Sequence, residues 1–376
     1  MLKVMTILGT RPELIKMSRV IYEFDQYVNH VLVHTGQNYD YELNQIFFNE
    51  LNIRKPDHFL GASGATTAAM IASIIEKSDE VMAMEEPDAI LFYGDTNSCL
   101  GVIAAKRRHI PVFHMEAGNR CFDQRVPEEI NRKILDHLSD INLVLTEHAR
   151  RYLIAEGVAP NTIIKTGSHM REVLDFHMRK INSSDVVERM KLKVGEYFLV
   201  SAHREENVDT PENLTDLLQT LNALAETHNK AVVVSTHPRT QHRLNELNFK
   251  QIDRRIQFLK PFGFFDYIKL QMDSFCVVSD SGTITEEASL LKFPAITIRH
   301  THERPEGMDA GTLVMTGLKR ERVLESVGIV VSQHPNVASD IGVVGDYEVG
   351  EVSKKILRIV LSYTDFINRT VWNRPS

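Results

Sequence analysis

Residues 114–132, HMEAGNRCFDQRVPEEINR, carry acidic and basic side chains at spacings that suit acid–base chemistry. The apolar run PVF precedes them and predicts a buried strand, which places Glu116 just past the end of that strand. Pro127 can begin a helix on which Glu128 and Arg132, four residues apart, share a face. Ligands of open α/β sheets bind at the carboxyl ends of strands. We therefore interpret these carboxylates as catalytic candidates rather than as the salt-bridged start of a surface helix.

Two segments nearer the N-terminus also put charged residues after predicted strands. GTRPE follows the apolar run KVMTIL and places Arg11 beside a helix N-terminus, where an anion can bind, with Lys16 one turn further on. Asp95 follows the run AILFY in the same way. Neither GxGxxG nor GxxxxGK[ST] occurs, so the sequence shows neither a dinucleotide fingerprint nor a P-loop.

The segment SDSGTITEE in the second half predicts an anion site at a helix start. Ser281, Gly282 and Thr283 follow a buried strand, and the helix N–H groups with the two hydroxyls could cradle a diphosphate. Glu287, just inside the helix, could accept hydrogen bonds from sugar hydroxyls such as those of a ribose. An ordinary N-cap with acidic first-turn residues is the alternative.

Two further basic segments follow strands in this half. SAHREEN places His203 and Arg204 after a strand, and RHTHERPEG adds Arg304. The histidines of the second segment, His300 and His302, lack acidic or cysteine partners at a metal-binding spacing, so the sequence predicts no metal.

Apolar runs alternate with helical patterns along the chain. Strands are expected at 3–8, 30–34, 89–93, 111–115, 142–146 and 163–166, then at 197–201, 231–236, 256–259, 275–280, 295–298 and 312–316. This alternation predicts an α/β protein with two Rossmann-like, doubly wound domains facing a central cleft. We place the N-terminal domain at 1–168, the C-terminal domain at 169–355 and a closing helix at 356–376.

Composition limits the possible partners. The 376 residues are 43% hydrophobic and 25% charged, with a net charge of −7, so attraction to nucleic acid or an anionic membrane is not expected. No apolar stretch approaches the length of a membrane-spanning helix, and the N-terminus does not read as a signal peptide. Three scattered cysteines suggest a reducing, cytoplasmic location.

The chain resembles the non-hydrolysing UDP-N-acetylglucosamine 2-epimerases. Seven motifs carry the resemblance, in order: GTRPE at 9–13, GDT at 94–96, EAG at 116–118, PEEINR at 127–132, AHREEN at 202–207, DSGT with EE at 280–287, and ERPE with GT at 303–312. The resemblance runs from residue 3 to about 360. It implies a glycosyltransferase-B-like fold with a UDP-sugar bound between the domains, the C-terminal domain holding the UDP. It also implies a homodimer that uses no cofactor and no metal.

The implied reaction inverts C2 of a UDP-2-acetamido sugar by eliminating UDP to a 2-acetamidoglycal and adding it back. Inversion requires acid–base groups on both faces of C2. The resemblance assigns catalysis to Asp95, Glu116, Glu128 and His203. It assigns substrate binding to Arg11, Lys16, Arg132, Arg204, Ser281, Gly282, Thr283, Glu287 and Arg304. Which carboxylate serves which face stays open.

Three departures from the usual family motifs indicate a branch of the family. The chain has EAGNR for EAGLR, HREEN for HRREN and DSGT for DSGG, together with HTGQNYDYELNQIFF at 34–48. These are similar to the UDP-N-acetyl-L-fucosamine synthases of capsule and O-antigen synthesis, which act on UDP-2-acetamido-2,6-dideoxy-L-talose. A UDP-N-acetylglucosamine 2-epimerase that makes UDP-N-acetylmannosamine is one alternative, and a glycosyltransferase of the same architecture is another. A non-catalytic sugar-binding module would not favour three acids beside an anionic ligand.

Overall fold

The computed structural model describes residues 1–36, 41–236, 238–247, 251–334 and 342–374. The chain forms two compact units. Unit 1 comprises Met1–Asp175 and Asp346–Ser376, and unit 2 comprises Phe176–Gly345. Residues 37–40 of the 34–48 motif lie outside the described part of the chain.

Unit 1 alternates strands and helices. In chain order its elements are β1 (Lys3–Leu8), α1 (Arg11–Tyr27), β2 (Asn29–His34), α2 (Tyr41–Glu50), β3 (His58–Phe59), α3 (Thr67–Glu85), β4 (Ala89–Tyr93), α4 (Val102–Arg107), β5 (Val112–Ala117), α5 (Pro127–Leu138), β6 (Ile141–Val144), α6 (Glu147–Ala155), β7 (Ile163–Lys165), the start of α7 (Met170–Asn182) and, after unit 2, α16 (Val352–Thr370). Short 3-10 turns cover Asn97–Gly101 and Pro160–Thr162. The described strands pair in parallel in the order β3-β2-β1-β4-β5-β6-β7.

The centre of this sheet is buried and almost entirely apolar. All five residues of β4 are buried, and so are residues 4–8 of β1, among which only Thr6 is polar. Burying each large apolar side chain stabilises the fold by roughly 1.5–3 kcal/mol. A parallel strand buried on both faces needs an uninterrupted apolar run, which is the pattern that the sequence showed.

Unit 2 repeats the same architecture. Its elements are α8 (Val186–Arg189), β8 (Tyr197–Ser201), α9 (Glu205–Val208), α10 (Pro211–His228), β9 (Ala231–Ser235), α11 (Pro238–Leu247), β10 (Ile256–Leu259), α12 (Phe264–Met272), β11 (Cys276–Ser279), α13 (Ile284–Leu291), β12 (Ala295–Thr297), α14 (Pro305–Asp309), β13 (Val314–Met315) and α15 (Arg320–Gln333). The described strands pair in parallel in the order β10-β9-β8-β11-β12-β13. The α/β prediction is therefore confirmed, with all twelve expected strands present and one short additional strand, β3.

The unit boundaries differ from the expected domain boundaries in two ways. The chain leaves unit 1 within α7 rather than at residue 168, and it returns at Asp346 rather than forming a separate closing segment. Asp346 explains the return, because its backbone carbonyl accepts from the Ser168 amide at 3.0 Å and its carboxylate accepts from the Glu147 amide at 3.0 Å. The α16 helix then packs on α1 of unit 1.

α16 begins before the expected bounds of the C-terminal helix, 356–376, and its Ile356 and Val360 are fully buried. Across the described residues, none of the helices combines the length and the apolar character needed to cross a membrane.

Candidate active site

The charged loops of unit 1 lie where the strand order of its sheet reverses. β1 and β4 are hydrogen-bonded neighbours although β2 and β3 lie between them in sequence. The connection after β1 therefore leads to one edge of the sheet, and the connection after β4 leads to the other edge. Such a switch point opens a crevice at the carboxyl ends of the strands, where ligands of this fold class bind. The segment after β1 carries Arg11, Glu13 and Lys16, and the loop after β4 carries Asp95.

Glu116 lies inside β5, one residue short of its end, rather than past it as expected. The pairing of β5 with β6 shifts between Met115 and Ala117, so Glu116 is the additional residue of a β-bulge. Its φ of 67° is in the left-handed region, which non-glycine residues rarely adopt and which active sites often contain. Bulges re-aim side chains. Here the Glu116 carboxylate accepts from the buried Lys16 Nζ at 2.8 Å and from the Tyr93 hydroxyl.

Asp95 is held by Arg132 of α5. The buried guanidinium of Arg132 donates from Nε to Asp95 Oδ2 at 2.8 Å and from Nη1 to Glu129 Oε2 at 2.8 Å. Glu129, which sequence reasoning did not select, is itself buried and accepts from the Cys121 and Phe122 amides. The neighbouring Glu128 lies in the first turn of α5, as expected for a helix beginning at Pro127, and is partly exposed.

Glu13 is a second group that sequence reasoning missed. Its carboxylate accepts from the Gly9 and Thr10 amides at 2.5 and 2.9 Å and from the Thr96 hydroxyl at 2.7 Å, so it joins the loops after β1 and β4. Burial raises the pKa of Glu13 to about 7, although these hydrogen bonds oppose the shift. The Thr-x-x-Glu spacing within GTRPE is a capping-box signature and could have identified it.

Arg11 is the first residue of α1, so it lies within the helix and not, as expected, in the loop before it. Its guanidinium carbon lies 5.7 Å from the centroid of the Phe47 ring, a cation–π distance. The side chain is half-buried. It therefore stands at the N-terminal end of α1, where the helix dipole and its own charge both attract anions.

Unit 2 also places its charged residues at a switch point, between β8 and β11. Asp280 follows β11 and is fully buried, and it accepts from the amides of His203 and Arg204 and from His203 Nδ1 at 3.1 Å. Burial would raise the pKa of Asp280, but His203, the Arg204 amide and Asn207 outweigh it and hold the pKa at about 2. The ionised Asp280 therefore orients the His203 ring, which is 44% exposed.

The loop after β11 begins α13, as predicted. Thr283 is the N-cap residue, and its hydroxyl lies 3.0 Å from that of Ser281. Gly282 is in tight contact with the side chain of Glu303, because an added Cβ would lie 2.4 Å from Glu303 Oε1. Glu303 pairs in turn with the buried Arg299, at 2.8 Å.

Arg304 and Glu287 lie deeper than the sequence indicated. Arg304 is buried, and its Nη2 donates to the buried Glu286 at 3.2 Å. The Glu287 carboxylate is also buried and accepts from Gln271 Nε2 at 2.7 Å, a partner on α12 for which the sequence carried no signal. Arg204 donates from Nε to the Asp280 carbonyl at 3.0 Å.

No group of three or more histidine, cysteine, aspartate or glutamate side chains within the described ranges is arranged to hold a metal ion. In unit 2, the groups that could hold an anion are the start of α13, the hydroxyls of Ser281 and Thr283, and the arginines around them.

Comparison with known proteins gives the class and the family. Two parallel, doubly wound sheets with charged switch-point loops define the glycosyltransferase-B-like fold. A structure from Rickettsia bellii, described as a UDP-N-acetylglucosamine 2-epimerase, has the same fold. It is 61% identical to this chain with a TM-score of 0.94, and the match covers 100% of each chain. The UDP-GlcNAc 2-epimerase of Methanocaldococcus jannaschii, solved with UDP-GlcNAc and UDP, is 32% identical with a TM-score of 0.89, covering 96% of this chain and 100% of that one. The UDP-2,3-diacetamido-2,3-dideoxy-D-glucuronate 2-epimerase of Pseudomonas aeruginosa is 35% identical, covering 86% of this chain and 91% of the relative.

Residues 22–361 match the family described as UDP-N-acetylglucosamine 2-epimerase, and the chain belongs to that family. It is accordingly a UDP-sugar 2-epimerase, an isomerase that acts on a nucleotide-linked carbohydrate.

Glu13→Gln is expected to stabilise the chain relative to the wild type by an amount that grows with pH. Because burial raises the pKa of Glu13 from 4.5 to about 7, the folded state binds this proton more tightly than the unfolded state. In the wild type, the protonated Glu13 thus contributes stability that is fully present below pH 4.5 and is lost as the pH rises through about 7. The wild type loses on the order of 3 kcal/mol of unfolding free energy over this range, and Glu13→Gln does not. Urea unfolding of both proteins at several pH values measures the difference.

The exposed Glu80 of α3 offers a control in the same unit, because Glu80→Gln should show no such rise. A stability difference between Glu13→Gln and wild type that stays constant over this pH range would show that folding does not raise the pKa of Glu13.

Proposed function

We propose that the chain inverts C2 of a UDP-2-acetamido sugar by eliminating UDP and adding it back. The observation that supports this most directly is the pair of carboxylates at adjacent strand ends of unit 1, Asp95 after β4 and Glu116 in β5, each bonded to a buried cation. Anion recognition alone would not gather acids at a switch point. Proton transfer at carbon requires them.

The chemistry explains why carboxylates are needed. The C2 proton of a 2-acetamido sugar has no adjacent carbonyl, so its direct removal would be very costly. When the anomeric C–O bond breaks, its electron pair leaves with UDP, and the sugar gains oxocarbenium character that acidifies C2. A carboxylate accepts the C2 proton and a 2-acetamidoglycal forms. Re-addition of UDP to the anomeric carbon, with a proton delivered to the opposite face of C2, gives the epimer.

In this proposal Asp95, Glu116 and Glu128 supply the proton-transfer groups. Lys16 and Arg132 fix two of these carboxylates by ion pairing and also lie where sugar hydroxyls and the acetamido group could be bound. Glu128 extends from the first turn of α5, so it can approach the sugar from another direction than Glu116. Acids on two elements suit a reaction that exchanges a proton on two faces.

Unit 2 would hold the leaving group. The start of α13 presents backbone N–H groups and the hydroxyls of Ser281 and Thr283 to a diphosphate, and Arg204 and Arg304 of the same unit supply positive charge. Arg11, at the start of α1 in unit 1, is assigned to substrate binding as a separate anion-attracting group. His203, oriented by Asp280, can donate a proton or a hydrogen bond as the β-phosphate departs. Glu287 is assigned to the ribose, and its bond to Gln271 would orient the carboxylate.

We propose the fucosamine-type sugar as the substrate, so that the product is UDP-N-acetyl-L-fucosamine for capsule or O-antigen synthesis. The motifs EAGNR, HREEN and DSGT support this choice. UDP-N-acetylglucosamine is the alternative, and the 61% identity to the Rickettsia bellii protein favours it. Overall identity does not decide between sugars, because relatives named for two different UDP-sugars are 32% and 35% identical to this chain.

Proton NMR in D₂O with each candidate UDP-sugar tests the activity and its substrate together. An epimerase places deuterium at C2 of both epimers, and the preferred sugar exchanges fastest. A glycosyltransferase would leave the C2 proton in place and require an acceptor. Absence of C2 exchange with every UDP-2-acetamido sugar would remove the basis for the proposal.

Asp95→Asn, Glu116→Gln and Glu128→Gln should each lower the rate of C2 exchange by about 10²–10⁴-fold, the usual loss for a general acid or base. UDP binding, measured by calorimetry, should persist, because the diphosphate is assigned to unit 2. Glu80→Gln again provides the matched control at an exposed position. Near-normal exchange in all three folded variants would contradict the assignment of the carboxylates.

Gly282→Val should weaken UDP binding by at least about tenfold while the fold persists. Its side chain would occupy the space beside Glu303 Oε1, where an added Cβ lies at 2.4 Å, and would crowd the backbone that is to meet the diphosphate. Gly328→Val in α15 of the same unit is the control, because nothing lies within 4 Å of its added Cβ. Equal UDP affinity in the two variants, measured by calorimetry, would place the diphosphate elsewhere.

A further inference from the structure

His114 of β5 is buried, 1% exposed, and both of its ring nitrogens face oxygen atoms. Nδ1 lies 2.8 Å from Asp136 Oδ1, and Nε2 lies 3.0 Å from the backbone carbonyl oxygen of Gly94. A carbonyl oxygen can only accept a hydrogen bond, so Nε2 must carry a proton. Whether Nδ1 also carries a proton depends on the ionisation of Asp136.

Asp136 is an ionised carboxylate by its surroundings. It accepts from Arg120 Nη1 at 2.7 Å and from the Gly118 amide at 3.2 Å, in addition to facing His114. The Arg120 guanidinium and the Gly118 amide can only donate hydrogen bonds, so they favour the ionised carboxylate whatever the charge of His114. A carboxylate without a proton can only accept, so Nδ1 of His114 must donate as well.

The charge balance of the buried cluster agrees with this. Arg120 donates to Glu156 from Nε at 2.8 Å and from Nη2 at 2.6 Å, besides its bond to Asp136. Two acids and one guanidinium would leave the cluster with one excess negative charge, and of these groups only Glu156 reaches solvent, with 26% of its side chain exposed. A doubly protonated His114 makes the four groups neutral in sum, which lowers the cost of burying them.

The cluster reaches both catalytic carboxylates through the backbone. Gly94, with φ of 70°, has its amide bonded to the Met115 carbonyl at 3.1 Å and its own carbonyl bonded to His114, so both backbone polar groups of the residue before Asp95 are held. The Gly118 amide, two residues after the bulged Glu116, is held by Asp136. Other described titratable groups near this cluster are Cys99, which is buried and within the field of Asp136, and the exposed His137, which contacts Glu156.

We propose that His114 is held as an imidazolium cation and acts as a positioning residue that sets the Gly94–Asp95 peptide relative to Glu116. The charge state follows from the geometry alone, whereas the positioning of the two acids rests on the proposed function. His114 itself does not touch the sugar in this proposal. Its effect passes through the Gly94 carbonyl to the carboxylate of the next residue.

The charge state is tested by NMR of the full chain labelled with ¹⁵N-histidine. At neutral pH, the buried ring should show protons on both nitrogens, protected from exchange, and His114→Gln should remove that one pattern from among the 16 histidines. A neutral ring, with one protonated and one bare nitrogen, would overturn the imidazolium assignment. This measurement does not depend on which reaction the enzyme catalyses.

Two variants separate positioning from stability. In His114→Asn the amide nitrogen replaces Nδ1 and keeps the donor to Asp136, but it cannot reach Gly94. In His114→Gln the amide nitrogen replaces Nε2 and keeps the donor to Gly94, but Asp136 loses the hydrogen bond that His114 Nδ1 donated. Both remove the buried positive charge, so both should unfold at lower temperature than the wild type.

Their activities should nevertheless differ. We expect His114→Asn to lower kcat by about 10- to 100-fold with little change in KM, the loss typical of a displaced catalytic group, and His114→Gln to retain most of the wild-type kcat per folded molecule. Equal kcat in the two variants would show that the histidine only stabilises the fold. If His114→Asn failed to fold, the folded His114→Gln protein would decide the question. A large loss of its kcat would overturn the proposal, whereas a retained kcat together with a doubly protonated His114 ring in the wild type would support it.

Discussion

Acids gathered at one edge of a parallel sheet repel one another, and the rest of unit 1 depends on how that repulsion is offset. Three of these acids are paired with two buried cations. Lys16 pairs with Glu116, and Arg132 pairs with Asp95 and Glu129. Removing one partner of a buried pair typically costs about 3–5 kcal/mol, because the other charge stays behind. The cations are therefore as necessary to the fold as the acids are to the chemistry, and each is carried on a helix that also closes the core.

The architecture was readable from the sequence because its signal is local. β4 is an unbroken apolar run of five residues and β8 is a run of four followed by Ser201, and the expected bounds of both strands match the structure. β3 has two residues, His58 and Phe59, which is too short to show any periodicity. The place of α16 could not be read in the same way. Its apolar stripe indicates that one face is buried but not which surface covers it, and the helix that it packs on, α1, lies at the opposite end of the sequence.

Within the site, the residue types were predictable and their partners were not. Spacing suggested that Glu128 would share a face with Arg132, yet the ion pair forms with Glu129, because the direction of the Arg132 side chain is set by Asp95 on another element. The left-handed conformation of Glu116 could not be predicted either, because the bulge arises from the pairing of β5 with β6 and not from the composition of β5. The sequence indicates Glu13 as a helix-capping residue, but its burial and its contact with Thr96 could not be predicted, because Thr96 lies on a different loop that only the folded sheet brings close.

The division of unit 1 into two chain segments sets an order of events during synthesis. The ribosome delivers the first 175 residues, then all of unit 2, and only then the segment from Asp346 that contains α16. At usual elongation rates the delay is on the order of ten seconds or more. During that time the surface of α1 that α16 later covers remains open, whereas unit 2 is continuous and has everything that it needs to fold as it emerges. An N-terminal unit that still lacks α16 therefore exposes this surface of α1 until synthesis is nearly complete.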